Sequence, residues 1–336
     1  MKERDIRPKH VHESILSLAE KDTQTFLLPR KEALIDVACP ACAADKKTHA
    51  FIKFGLSYVT CDACKTLYLS PRPSEALLSE VYNKMESVQY WETAFYKETA
   101  EARREKIHAP RAQKIQDIAK AHGKNGNGET LLDIGCGYGI FLEEIKKLNF
   151  FDTLVGIEPT ASLAAVTRKK GIPVREVWVG PDTAADIPER ADVLTCFEVM
   201  EHVFDPAAFI GTMAQLVKPG GIMIFTFPSG SGFDVQLLWE KSNTVYPPHH
   251  INLMTVEGVE RLIARVSSVA LIEIATPGVL DVDIVRNAYR DGAMQNTGHF
   301  FDYFFSRNDD AACADLQSWL QKHRLSSHLW LVLRKK

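Results

Sequence analysis

Four of the seven cysteines fall in two pairs, Cys39-x2-Cys42 and Cys61-x2-Cys64, with 18 residues between them. Two CxxC turns carried by neighbouring hairpins deliver four thiolates to one tetrahedral ion, and zinc is the metal that takes that set. The competing reading, a pair of redox dithiols, needs a strand-to-helix junction at the motif, and neither pair has one. Because all four positions are thiolates, the expected role of the metal is structural, with no open coordination site for a water nucleophile. His49, between the pairs, is expected in a solvated loop and not on the metal. The odd, clustered cysteine count does not fit a secreted disulfide framework.

A second constellation is "LLDIGCGYGIFLEEI", residues 131 to 145, which passes from a strand pattern through Gly135, Gly137 and Gly139 into a helical one. A glycine turn at a helix N-terminus holds a dinucleotide pyrophosphate or, equally, a nucleoside without phosphate. The spacing here is G-x-G-x-G and not the G-x-G-x-x-G dinucleotide fingerprint. Asp133 beside the turn repels a pyrophosphate and welcomes an ammonium or sulfonium, which favours a cationic nucleoside. "VGIEPT" ends the following strand on Glu158, where a carboxylate accepts hydrogen bonds from ribose hydroxyls.

Two further stretches could act on an acceptor. In "CFEVMEHVFDP", Glu198, Glu201 and His202 follow a strand, on the edge where open α/β sheets bind ligands; alternatively they orient the loop, with Asp205 and Pro206 starting the next helix. "TVYPPHHINLMT", residues 244 to 255, gathers Tyr246, His249 and His250 on a proline-stiffened loop. Imidazole has the right ordinary pKa for a general base near neutrality, although either histidine could equally bond backbone in a rigid loop. His202 is the rival base. Tyr90 and Trp91, in "VQYWETAFY", are candidates for an aromatic lid or for core packing.

These residues need a scaffold, and the chain supplies one. Its 336 residues are 46% apolar and 25% charged, ordinary for a globular protein. A net charge of −3 provides no basic field, so nucleic acid is disfavoured as a partner. No run approaches the roughly 20 apolar residues of a membrane span, and "MKERDIRPKH" has no apolar signal core, so a cytoplasmic location is expected. From Glu129 onward strand and helix patterns alternate, including "VREVWV" as a strand and "SHLWLVLRKK" as a closing one. The expected fold is therefore α/β, a doubly wound Rossmann-like sheet. Ahead of it come an N-terminal arm (1–36), a small zinc-ribbon module (37–70) and a helical linker (71–125). The catalytic domain is expected over 126–336, with a partly helical insert at 276–327.

"LLDIGCGYG", "VGIEPT", "ADVLTCFEVMEHVFDP" and "LVKPGGIMIFTFPS" follow one another in the order of class I S-adenosylmethionine-dependent methyltransferases, which the chain resembles over about residues 126 to 275. The resemblance implies S-adenosylmethionine as cofactor, contacted by Asp133, Gly135, Cys136, Gly137, Gly139, Glu158, Pro159, Phe197 and Glu198. It also suggests Asp182 near the adenine, although "VWVGPDTAAD" departs from the family pattern. The cysteine pairs followed by "LYLSPRPSEALLSEVY" look like zinc-ribbon methyltransferases of bacterial surface-glycan and secondary-metabolite pathways. That segment differs from the deoxysugar C-methyltransferases, so C-methylation is not assigned. The implied function is methyl transfer to a hydroxyl of a sugar or other small metabolite, with His249, His250 or His202 as base. RNA base methylation is an alternative, against which stand the missing arginine-rich platform and "FEVM" in place of an NPPY-like tetrapeptide. A non-catalytic cofactor-binding scaffold is a third.

Overall fold

The β-branched and aromatic residues between the cysteine pairs form a hairpin, β1 (Lys47–Lys53) and β2 (Leu56–Cys61), extended by β3 (Leu67–Leu69). In this computed structural model, which describes residues 1–294 and 298–336, the alternating segments that follow build a seven-stranded sheet. Its strands are β4 (Thr130–Ile134), β5 (Thr153–Ile157), β6 (Val174–Arg175), β7 (Ala191–Phe197) and β8 (Val217–Pro228). After the two-residue β9 (Asn252–Leu253) come β10 (Val269–Ala275) and β11 (His328–Lys335). The order across the sheet is β10-β11-β8-β7-β4-β5-β6, parallel except for β11, which runs antiparallel to both of its neighbours. The strand order reverses between β4 and β7, the switch point outside whose strand ends open α/β sheets bind ligands.

The core lies on both faces, as a parallel sheet requires. Neighbouring strand residues separate by parity: Leu131, Val193, Ile222 and Ile224 pack with the helices Ala109–Ala121 and Ile140–Lys147. Leu132, Leu194, Met223 and Phe225 pack on the opposite face with Pro206–Gln215 and Val256–Ala264. Each such fully buried side chain contributes roughly 1.5–3 kcal/mol relative to exposure. Among the described residues no helix is long and apolar enough to cross a membrane.

The ribbon hairpin is joined to the rest of the chain by backbone pairing. β9, from the histidine-bearing loop, pairs antiparallel with β3 and completes a four-stranded sheet β9-β3-β2-β1. Cys39, Cys61 and Cys64 share a core with Met254, Val259 and Leu262. Arg265 donates to the carbonyls of Pro40 and Ala41 at 3.2 and 2.8 Å, and the Thr255 hydroxyl donates to that of Cys64 at 2.6 Å.

Between ribbon and sheet, Ser74 caps the helix Glu75–Tyr82, its Oγ accepting from the Leu77 N–H at 3.2 Å. A nearly continuous helical run then extends from Glu86 to Ala121, with wide turns at Trp91–Phe95 and Arg104–His108. The second wide turn precedes Pro110, which lacks an N–H and crowds the carbonyl one turn back.

Two expectations are corrected. "VREVWV" pairs only at Val174–Arg175, because Trp178 leaves the sheet edge and packs edge-on against Tyr82 with ring centroids 5.8 Å apart. His49 lies on β1 opposite Val59, not in a loop; it is exposed, with Nδ1 3.1 Å from the Ser57 hydroxyl. In the segment expected as an insert, three helices, Asp281–Arg290, His299–Ser306 and Asp310–Lys322, pack around Leu238 and Phe305, while positions 295–297 fall outside the described residues.

Candidate functional site

At the end of β4 the chain must leave the sheet and enter a helix within a few residues. Gly135, Gly137 and Gly139 do so with φ of +71°, +53° and +66°, a region glycine enters without steric cost. One of them has a further reason to lack a side chain. A Cβ on Gly139 would come within 2.5 Å of the Thr167 side chain, whereas one on Gly137 would meet only the Tyr96 hydroxyl at 3.7 Å. The turn is thus packed tightly against Thr167 at Gly139, while buried Gly137 lies in ordinary van der Waals contact with the Tyr96 hydroxyl that covers it. Cys136 points inward against Gly156, and burial pushes its thiol pKa up.

Two buried carboxyl groups flank the turn. Asp133 accepts from the Thr195 hydroxyl at 2.7 Å, and burial raises its pKa to about 7, with Glu158 adding to the shift and Arg111 opposing it. Glu158 accepts N–H bonds from Gly137 and Thr160, both at 2.9 Å, and burial raises its pKa too. Two desolvated acids beside one turn favour a cationic ligand and disfavour a pyrophosphate. The wide turn at Trp91–Phe95 covers this edge: Tyr96 packs against Tyr138 of the glycine turn and against Trp91, both at 4.6 Å, and the Tyr138 hydroxyl donates to the Glu92 carbonyl. Trp91 is therefore part of the aromatic cover, with Tyr90 half-buried beside it. Pro159 is half-buried after Glu158, and Asp182 is exposed in the irregular segment after β6.

Phe197 and Glu198 close β7. The Phe197 ring carries the Arg111 guanidinium 4.4 Å from its centroid and meets Phe141 edge-on at 4.9 Å. Glu198 adopts φ +57°, an uncommon conformation for a non-glycine residue, with its N–H donating to the Thr226 carbonyl at 2.7 Å. Burial alone would raise the Glu198 carboxyl. His328 at 2.8 Å, Arg111 at 3.4 Å and the Thr226 hydroxyl at 2.7 Å instead hold it well below the usual range.

Beyond Glu198 the 199–205 and 244–253 loops are locked together. The Glu201 carbonyl accepts from Ile251 and Asn252 N–H groups at 2.9 and 3.1 Å. Arg72, buried, donates to the Asn252 side chain at 3.0 Å and to the Phe204 carbonyl at 2.6 Å, and Asn252 in turn donates to the Val203 carbonyl at 2.6 Å. Asp205 caps the helix that Pro206 opens.

This lock brings the three candidate histidines together. His202 Nδ1 lies 2.8 Å from the His249 carbonyl and His250 Nδ1 lies 2.7 Å from the Thr244 carbonyl. A carbonyl only accepts, so both rings carry their proton on Nδ1 and present a bare Nε2. The two rings are 5.1 Å apart, and Tyr246 packs on His250 at 4.7 Å. Burial lowers the pKa of all three imidazoles, His249 to about 3. His202 is the most exposed of the three, with 41% of its side chain open.

His249 is held differently. Its Nε2 lies 2.8 Å from the Ser87 hydroxyl, which donates to Asp22 at 2.6 Å; Asp22 also accepts the N–H groups of Glu86 and Ser87 at 3.0 and 2.8 Å. Since the hydroxyl proton goes to the carboxylate, Ser87 accepts from His249 Nε2–H. The N-terminal arm, which shows no chemistry in the sequence, thus anchors the loop whose carbonyl orients His202. Sequence reasoning missed Asp22, Ser87, Arg72, Asn252, Arg111 and His328. Arg72, Asn252 and His328 fall inside stretches singled out for other reasons, and Asp22, Ser87 and Arg111 in none; a buried arginine or aspartate needs a partner, but its address is visible only after folding.

The four cysteine sulfurs lie within 4.8 Å of one another, with Cys39–Cys64 and Cys42–Cys61 each at 3.5 Å. Zinc–thiolate bonds of about 2.3 Å in a tetrahedron need sulfur separations of about 3.8 Å, so the set fits one ion.

Residues 102–266 match the family described as "Methyltransferase domain". The ubiquinone biosynthesis O-methyltransferase of Proteus mirabilis is 38% identical over 102 residues, which cover 30% of this chain and 42% of the relative. Its counterpart from Photorhabdus laumondii is 36% identical over 102 residues, with the same coverage of 30% and 42%. The chain therefore matches less than half the length of these relatives. The structure of the plantazolicin methyltransferase BpumL in complex with SAH is 15% identical, covers 78% of this chain and 98% of that one, and has a TM-score of 0.48.

Proposed function

We propose that the chain, which carries a methyltransferase domain over residues 102–266, uses S-adenosylmethionine to methylate a hydroxyl oxygen of a small acceptor, a sugar or other hydroxylated metabolite. Bound at the glycine turn, S-adenosylmethionine supplies an electrophilic methyl on a sulfonium. Asp133 holds the ammonium of its methionine portion and Glu158 its ribose hydroxyls, while Gly135, Gly137 and Gly139 let the backbone approach and Phe197 and Glu198 line the side toward the acceptor. The observation that carries this reading is the grouping of the site: two buried acids beside a glycine turn, followed after Glu198 by two imidazoles with bare nitrogens.

Transfer in line forms the oxygen–methyl bond and breaks the sulfur–methyl bond, leaving a neutral thioether and a proton to remove from the acceptor oxygen. His202 and His250 present acceptor nitrogens to that hydroxyl. His249, with Nε2 committed to Ser87, supports them through its carbonyl. We assign Cys39, Cys42, Cys61 and Cys64 to a structural zinc ion that ties the ribbon to the loop bearing these histidines, and we place the reaction in the cytoplasm, where clustered thiols stay reduced.

Calorimetric titration with S-adenosylmethionine tests the cofactor half, and absence of binding at millimolar concentration refutes it. Radiolabelled methyl transfer to a panel of sugars, phenols and transcribed RNA tests the acceptor. Label in hydroxyl-bearing small molecules supports the proposal; label in RNA alone overturns it.

A further inference from the structure

Apart from the four cysteines, one group of side chains among the described residues brings together three metal-ligating atoms: Glu201, His202 and His250, whose candidate donors all lie within 4.8 Å of one another. Two independent features make this more than proximity. Each imidazole has its Nδ1–H committed to a backbone carbonyl, His202 to His249 at 2.8 Å and His250 to Thr244 at 2.7 Å. That is the outer-shell arrangement by which proteins fix the tautomer of a metal-bound histidine. The third ligand brings the second feature. Glu201 is 1% exposed, and its Oε2 has no hydrogen-bond partner. A buried carboxyl oxygen without a partner is costly and rare, and a cation between this group and the two bare nitrogens satisfies it.

We propose that Glu201, His202 and His250 bind one divalent transition-metal ion of the Mn2+-to-Zn2+ class on the acceptor side of the site, leaving its remaining positions open to an acceptor oxygen. Two imidazoles and one carboxylate suit such ions better than Mg2+ or Ca2+, which prefer oxygen, or Cu(I), which prefers sulfur. Metal bonds of about 2.1 Å place adjacent ligand atoms about 3–3.5 Å apart. Glu201 Oε1 and His202 Nε2 stand at 3.8 Å and the three donors within 4.8 Å of one another, so side-chain rotation on binding draws them onto the ion. The framework is rigid. The His250 carbonyl accepts from the buried Tyr58 hydroxyl at 2.7 Å, and the Glu201 carbonyl takes the two N–H groups of Ile251 and Asn252. Three ligands from one side leave an open face, unlike the closed four-thiolate site. With the ion bound, the two imidazole nitrogens are ligands and not proton acceptors, so the base role given them above belongs to the metal-free protein. The ion's role toward the acceptor rests on the function proposed above; its binding does not.

The test is titration of the zinc-replete full-length protein with Mn2+ alone, following loss of the free-ion electron paramagnetic resonance signal. One equivalent binds to the wild type. Glu201→Gln and, separately, His250→Ala weaken that binding at least about tenfold, given that loss of a mere supporting partner costs 10- to 100-fold. Zinc content and S-adenosylmethionine affinity, measured on the same samples, stay at wild-type values and show that both variants are folded. No Mn2+ bound to the wild type, or equal binding in both variants, overturns the site. Mn2+ binding without methylation of any acceptor keeps the site and refutes the function; methylation with no Mn2+ bound does the reverse.

Discussion

The two halves of the site are built in opposite ways. The proposed cofactor half lies in one stretch of chain from Asp133 to Glu158, where two strand ends and a glycine turn meet through the pairing of β4 with β5. The acceptor half draws on five separate segments: Asp22 from the arm, Ser87 from the helical run, Arg72 beyond the ribbon, and the two loops carrying His202 and His250. The first depends on local backbone geometry and burial. The second depends on side chains that arrive from far along the sequence, and on a ribbon whose β3 pairs with β9. Damage to the ribbon or the arm should therefore reach the acceptor half and leave the cofactor half standing.

Removing the ribbon's metal gives the sharpest separation, because structural zinc contributes about 10–16 kcal/mol to the fold it closes. Chelation, or Cys61→Ser, is expected to abolish turnover while S-adenosylmethionine affinity, measured by calorimetry, changes less than about threefold. Loss of both together would erase the distinction between the halves.

Next in size, Asp133→Asn should weaken cofactor binding about 10- to 100-fold, the worth of a charged hydrogen bond in a buried site. Its pH dependence has a definite sign. The folded protein keeps the Asp133 proton up to about pH 7, whereas an unfolded chain releases it near 4, so this group's contribution to apo-protein stability falls as pH rises from 4 to 7. An ammonium ligand favours the ionised form. Affinity should accordingly rise between pH 6 and 8 with proton release, and the Asn variant should flatten that rise.

A smaller effect is expected from Asp22→Asn, which leaves Ser87 and His249 with a weaker anchor worth roughly 1–2 kcal/mol. Steady-state kinetics should show kcat reduced about 5- to 30-fold with unchanged cofactor affinity; a matching fall in affinity would mean the arm acts through global stability. Smallest of all, Asp182→Ala, at an exposed position, should alter neither cofactor affinity nor kcat by more than about 1.5-fold.

The doubly wound sheet was legible in the sequence because most strands announce themselves by composition and most helices by periodicity, whereas the strand order and the antiparallel setting of β11 came from the fold. "VREVWV" misled because its apolar residues satisfy a strand pattern while Trp178 finds its partner, Tyr82, on a distant helix. The cysteine pairs and the glycine turn were legible for the same reason as the strands: their chemistry depends on spacing along the chain.

What the sequence determined by itself, then, is every feature whose partners are near neighbours, including the glycine turn, the acids at the ends of β4 and β5, and the thiolate pairs. Only the tertiary structure decided how three histidines divide their duties. His249 is tied through Ser87 to Asp22, while His202 and His250 turn bare nitrogens toward Glu201. The physical reason is that an imidazole's role is set by which of its nitrogens is already bonded, and those bonds run to carbonyls and hydroxyls that sequence distance hides.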